Sequence, residues 1–250
     1  MKKIIICGCQ GKMGHVLESC IAERDDCEVV AGFDIATEPK KLYPVFSHFA
    51  DCTVDADVII DFSNPASLEQ LLDFAISRKL PLIIATTGYN EAQIAAIHKA
   101  AETIPVFFSF NMSLGVNLLA ELAKKATAFL GGQFDIEIVE KHHNRKVDAP
   151  SGTALMLADA INSVLEQPYS YTYDRHSVRR KREKSEIGIS SVRGGTIVGE
   201  HEIIFAGRDE IIELKHTAMS REIFAVGAVN AAVYLADLSV PRIYTMSDLL

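Results

Sequence analysis

Ile4-Ile5-Ile6-Cys7 is an unbroken apolar run that stops at Gly8. A short β-branched run closed by glycine suits a strand buried on both faces. Gly8-Cys9-Gln10-Gly11-Lys12-Met13-Gly14 follows, then a segment of helical character to residue 24, then a second strand over 28–34. The alternation continues with a strand at 57–62 and a helix at 65–79 that has Pro65 in its first turn. A strand at 82–85, a helix at 91–102 and a strand at 106–108 complete it. Strands alternating with helices predict a parallel, doubly wound sheet.

After Asn111 the pattern changes. A helix is expected at 116–129, stopped by Gly131-Gly132, then a strand at 134–139 and a helix at 153–165. Strands follow at 187–192, 196–206 and 211–216, with Gly194-Gly195 and Gly207-Arg208-Asp209 as turns short enough to join antiparallel neighbours. A mostly apolar helix covers 224–238. The expected architecture is α/β: a Rossmann-like doubly wound parallel sheet plus a second α+β domain with an open mixed sheet. The expected division is 1–112, 113–221, and a C-terminal helical segment, 222–250, that returns to the first domain.

Charge narrows the function. With 25 Lys and Arg against 33 Asp and Glu, the net charge of −8 opposes general affinity for nucleic acid or anionic membranes, so an anion site must be local. The apolar stretch 224–236 is interrupted by Asn230 and is shorter than the about 20 residues of a membrane span. The run behind Met1 is shorter than a signal core of about 7–15 residues. A soluble, cytoplasmic protein is expected. Cys7, Cys9, Cys20, Cys27 and Cys52 are odd in number and follow no secretion signal, which disfavours a disulfide framework. The Cys7–Cys9 spacing fits no usual zinc site, and no metal is expected.

Strand, glycine turn, helix, strand and acid together suit a dinucleotide. Glycines allow close backbone approach to a pyrophosphate seated on a helix N-terminus, and Asp34, about 20 residues beyond Gly14, can accept both ribose hydroxyls. The spacing is G-x-x-G-x-x-G, which an ordinary tight turn could also show; the flanking strands and Asp34 favour the cofactor. Three small polar clusters fall at strand C-terminal ends, where such folds bind ligands: Asp61-Phe62-Ser63, Ala85-Thr86-Thr87-Gly88 and Ser109-Phe110-Asn111-Met112. They are either helix caps or the lining of a cofactor groove.

A second concentration of chemistry lies at 137–154. From Lys141 to Lys146 only Asn144 is not Lys, Arg or His, although the chain is acidic. Pro150-Ser151-Gly152-Thr153 reads as a capped helix start, which is an anion site. Two anion-binding devices in sequence suit a substrate with two carboxylates. His adds a group that exchanges protons near neutral pH, with neighbouring cations favouring its neutral form. A solvated basic loop before a capped helix is the plain alternative.

Glu137-Ile-Val-Glu-x-His-x-x-x-Lys-x-Asp-x-Pro-Ser-Gly-Thr-Ala closely resembles the signature of 4-hydroxy-tetrahydrodipicolinate reductases (dihydrodipicolinate reductases) of the lysine and diaminopimelate pathway. The resemblance extends through the glycine loop, Asp61-Phe62-Ser63, Ala85-Thr86-Thr87-Gly88-Tyr89 and Asn111-Met112-Ser113. It continues through Glu186-Ile187-Gly188-Ile189, Arg193-Gly194-Gly195, Gly199-Glu200-His201 and His216-Thr217-Ala218-Met219-Ser220-Arg221. Cys9-Gln10 and Ala85, where glycine is common, depart from the pattern. The resemblance implies His142 as general acid/base and Lys146 as proton donor. It implies His143, Ser151, Gly152 and Thr153 as holders of substrate carboxylates. On the cofactor side it implies Gly8, Cys9, Gln10, Gly11, Lys12 and Met13 at the pyrophosphate and Asp34 at the ribose. Ala85, Thr86, Thr87, Ser109, Phe110, Asn111 and Met112 then flank the nicotinamide half. The implied cofactor is NADH or NADPH, the implied partner a dicarboxylate, and the implied assembly a homotetramer.

Two rivals are weighed against this. A Rossmann dehydrogenase of another small acid shares the first half but has no reason to carry H-H-x-x-K-x-D-A-P-S-G-T. A nicotinamide-sensing nucleic-acid regulator draws on the basic run 174–184, of net charge +4, which otherwise reads as a solvated loop.

Asp34 accepts both ribose hydroxyls of NADH but repels a 2′-phosphate, and no Arg occurs between it and Arg78; Lys40 and Lys41 are the nearest cations downstream. Both cofactors are expected to work, with NADH preferred. The ratio of kcat/KM values decides this, and an NADPH advantage of about tenfold, or about 1.4 kcal/mol, contradicts it.

Overall fold

Alternate residues of β1 (Lys2–Cys7) serve opposite cores, which is why the run is apolar throughout. Ile4 and Ile6 pack with Leu17 and Ile21 of α1 (Lys12–Ala22), while Ile5 and Cys7 join the other side. In this computed structural model, which describes residues 1–38 and 40–249, the strand is central to a parallel seven-stranded sheet. The others are β2 (Cys27–Phe33), β3 (Val45–Phe46), β4 (Val58–Asp61), β5 (Leu82–Ile84), β6 (Val106–Phe108) and β12 (Ile243–Tyr244). The order β12-β6-β5-β4-β1-β2-β3 reverses direction beside β1, as in doubly wound nucleotide-binding folds. One face carries α2 (Leu68–Arg78) and α3 (Glu91–Ala100); the other carries α1 and α6 (Glu222–Leu235), whose Ala225, Ala228, Val229, Ala231 and Ala232 are buried.

These elements form one unit, Met1–Leu114 with the chain from Glu222 onward. Leu250, the end of the third expected segment, lies outside the described residues. The chain from β2 to β3 passes without a helix, so the alternation is not strict there.

The second unit is Gly115–Arg221. It holds most of α4 (Leu114–Leu130), with α5 (Gly152–Asn162), β7 (Asp135–His142), β8 (Ser170–Thr172), β9 (Glu186–Arg193), β10 (Gly199–Ala206) and β11 (Ile211–Ala218). The mixed sheet runs β11-β10-β7-β9-β8. Ile136, Ile138, Ile187, Ile189, Ile203 and Phe205 pack against Leu119, Ala123, Leu157 and Ile161 of the two helices.

Two expectations change here. The strand expected to end at residue 139 runs on to His142, because its inward positions continue as Glu140 and His142, polar residues that an apolar pattern does not count. The expected hairpin at Gly194-Gly195 is not formed. β7 takes the central place, with β9 parallel on one side and β10 antiparallel on the other. Residues 194–198 therefore cross the end of β7, where Gly194 N–H donates to the His142 carbonyl at 2.9 Å. Only β10 and β11 form the expected hairpin. The short strands β3, β8 and β12 carry too few residues to show a period.

Candidate active site

The extension of β7 places Glu140 and His142 on the same face as Ile136 and Ile138, beside the start of β10. Glu140 is fully buried and must be paired. The two terminal guanidinium nitrogens of Arg193 donate to it, at 2.8 and 2.6 Å. Arg193 also donates to the Asp148 carbonyl at 2.7 Å, holding the 143–150 loop. Burial by itself would raise the Glu140 pKa, but hydrogen bonds from Arg193, Ser191 and His142 outweigh it and hold the carboxyl at about 2. An ionised carboxylate only accepts, so the His142 Nδ1, 2.6 Å from Oε2, carries the hydrogen. The other ring nitrogen, Nε2, looks toward Gly199, where a Cβ would sit 3.1 Å from it. The nearest charge to His142 is thus an anion, whereas the basic sequence around it suggested cations.

Ser151 spends its polar atoms inside the protein. Its amide donates to Glu140 at 3.2 Å, its hydroxyl caps α5 by accepting from Ala154 N–H at 3.1 Å, and the same hydroxyl lies 2.8 Å from His201 Nε2. Ser151 therefore shapes the helix start more directly than it offers a ligand group. Gly152 is exposed at the first position of α5, with Thr153 half-buried beside it. His143 Nδ1 is buried with no hydrogen-bond partner among the described residues. Lys146 Nζ pairs with Asp148 at 2.8 Å.

Glu140, Arg193 and His201 join this cluster, although the sequence reading assigned them no role. Their signal was present: Glu140 is at an inward period-two position, and Arg193 and His201 lie within quoted motif strings. Half of the basic residues of the run 174–184 are tied into ion pairs, while Arg179, Lys181 and Lys184 are exposed. Arg175 pairs with Glu186 and Glu137, Arg180 with Glu183, and Arg182 with Asp135 and Glu137 at 2.9 Å each.

In the first unit the glycine loop suits a nucleotide. Gly8 has a φ of +81°, and a Cβ there would lie 2.5 Å from the Phe62 carbonyl oxygen. A Cβ at Gly14 would lie 2.4 Å from the Gly8 oxygen, so α1 could not close on the loop. No side chain caps α1 at Gly11, which leaves its first turn suited to a phosphate. Gln10 N–H donates to Asp34 Oδ2 at 2.9 Å, tying loop to acid. Cys9 is buried against Gly32, so it reaches a ligand only through its backbone. Lys12 and Thr87 are exposed, Met13 and Ser109 intermediate, and Ala85, Thr86, Asn111 and Met112 buried; Phe110 is exposed.

The chain matches the family models described as dihydrodipicolinate reductase, N-terminus, over residues 2–112, and C-terminus, over 115–250. It belongs to the dihydrodipicolinate reductase family. A relative named 4-hydroxy-tetrahydrodipicolinate reductase from Caldanaerobacter subterraneus is 51% identical, over 100% of this chain and 98% of the relative. Another of that name from Clostridium novyi is 46% identical with the same coverage. The solved dipicolinate-bound dihydrodipicolinate reductase from Paenisporosarcina superposes with a TM-score of 0.84 at 25% identity, covering both chains fully. The family seen in the motifs is therefore confirmed, and with it the oxidoreductase class and the Rossmann-like sheet.

Burial, with lesser contributions from His142 and others, lowers the His201 pKa to about 4. A histidine held neutral opposes folding once the unfolded chain protonates. Stability should therefore fall as pH drops from about 6.5 to about 4, by roughly 3 kcal/mol from this residue. Denaturant unfolding of the wild type and His201→Gln across that range measures it. Parallel pH profiles for the two proteins would contradict the assignment.

Proposed function

We infer that this chain catalyses the NAD(P)H-dependent reduction of (2S,4S)-4-hydroxy-2,3,4,5-tetrahydrodipicolinate to 2,3,4,5-tetrahydrodipicolinate, with loss of water, in lysine and diaminopimelate biosynthesis. The observation that carries this is the full-length identity of 46–51% to relatives named for that activity. A nicotinamide dinucleotide, when bound, supplies the hydride to ring C4. The reduction consumes one proton besides the hydride, and the 4-hydroxyl departs as water.

The chain supplies the proton and the electrostatics. His142, oriented through Nδ1 by Glu140, exchanges its proton at Nε2 beside Gly199. Lys146, steadied by Asp148, is the second donor, quenching negative charge that develops on the conjugated ring. His143, whose Nδ1 has no hydrogen-bond partner among the described residues, and the first turn of α5 at Gly152 and Thr153 receive the two carboxylates. Fixed dipoles and cations placed where charge develops stabilise the transition state without reorganising. Gly8 to Met13 would hold the pyrophosphate and Asp34 the ribose, with Ala85 to Thr87 and Ser109 to Met112 flanking the nicotinamide.

The protein is read as a cytoplasmic homotetramer. Among the described residues, no helix is long and apolar enough to cross a membrane. The sheet face of the second unit away from α4 and α5 exposes Val192 and Ile211, which favours association through that face.

Oxidation of NADH or NADPH is expected when the purified protein meets substrate freshly formed from pyruvate and aspartate semialdehyde; none with either cofactor overturns the reading. His142→Ala should lower turnover by about 10²–10⁴-fold while leaving the Kd for NADH nearly unchanged. Near-normal turnover would remove His142 from the chemistry.

A further inference from the structure

Lys41 does not hang free beside Asp34. Its ammonium lies 2.8 Å from Glu18 Oε2 and 3.0 Å from His15 Nδ1, and its side chain is 10% exposed. The other Glu18 oxygen accepts from the Tyr43 hydroxyl, so the carboxylate is anchored on both sides. Burial pushes the Tyr43 hydroxyl pKa well up, helped by that carboxylate, so the phenol keeps its proton and remains a donor. Glu18 thus clasps the segment leading into β3 onto the side of α1.

The position of this clasp gives it a consequence. His15 and Glu18 lie four and seven residues beyond the helix cap, Gly11. At 1.5 Å per residue, Glu18 holds the ammonium roughly 10 Å along the helix from the end that suits a phosphate. Lys41 leads into β3, which pairs with β2 at the end that carries Asp34: Phe33 lies opposite Phe46, and the Asp34 N–H donates to the Phe46 carbonyl at 3.1 Å. Released from Glu18, the flexible lysine stem on this segment is free to turn toward that strand end. Asp34 repels a 2′-phosphate, and a cation must offset that charge before NADPH is accepted. Lys40 is exposed to solvent and has no part in the clasp, so it contributes equally with and without Glu18.

We propose that Glu18 is a cofactor-specificity residue, whose clasp on Lys41 withholds that cation from a 2′-phosphate beside Asp34 and so favours NADH. The proposal rests on the dinucleotide reading of the Gly8–Gly14 loop. Glu18 touches no part of the nucleotide in this account; it acts through Lys41.

Calorimetric titration of the full-length protein with 5′-AMP and with adenosine 2′,5′-bisphosphate, without substrate, tests it. In Glu18→Gln the ratio of Kd values should shift about fivefold toward the bisphosphate, the gain expected of one released exposed cation. The shift should vanish in Glu18→Gln/Lys41→Met. An unchanged ratio in the single variant, or a shift that survives in the double, overturns the proposal. Should Glu18→Gln not fold, Glu18→Asp, which retracts the carboxylate by one methylene, is expected to shift the ratio in the same direction, and no shift there also overturns it. If the wild type binds neither nucleotide, the dinucleotide reading falls and takes the proposal with it.

Discussion

The site in the second unit depends on one buried negative charge. Glu140 has no exposed surface, and an isolated carboxylate there would be untenable. Arg193 makes it tenable with two hydrogen bonds, and the Ser151 amide supplies a third. In return the carboxylate fixes the His142 ring, the end of β9 and the start of α5. Removing one partner of such a buried pair typically costs about 3–5 kcal/mol, more than the pair itself contributes, because the other charge remains unpaired. That asymmetry makes the arrangement specific: the His142 ring, the helix start and the 143–150 loop are set by the same carboxylate.

Topology explains why these residues can meet. β7 is central, so its last inward positions have neighbours on both sides: His201 opposite Glu140 on β10, and Arg193 opposite His142 on β9. The crossing at 194–198 brings the chain over the end of β7, led by Gly194 and Gly195, and Gly199 keeps the space beside Nε2 open. In the first unit a different economy applies. There the backbone of Gly8 to Gly14 supplies the surface, and side chains such as Cys9 serve the core.

Much of this was legible in the sequence. The first unit announced itself through strands that are apolar throughout, a glycine turn and Asp34 at the expected distance. His142, Lys146 and the helix start at Ser151 stood out through the contrast between a basic patch and an acidic chain. What stayed hidden were pairings that only three-dimensional register creates. Glu140 read as an acid just beyond a strand, and Arg193 as a residue before a turn. The Gly194-Gly195 step looked like a hairpin because local turn chemistry does not reveal that another strand lies between the two it connects. Lys41 looked available to a cofactor because its partner, Glu18, lies 23 residues away along the chain.

The central claim is that the Glu140 carboxylate sets the tautomer and orientation of His142, leaving Nε2 as the proton-exchanging atom. Long-range ¹H–¹⁵N NMR of the histidine rings in the free protein tests this most directly. The neutral His142 ring should carry its hydrogen on Nδ1, and the preference should disappear in Glu140→Gln. A neutral ring protonated on Nε2 in the wild type, or a tautomer unchanged by Glu140→Gln, would contradict the account.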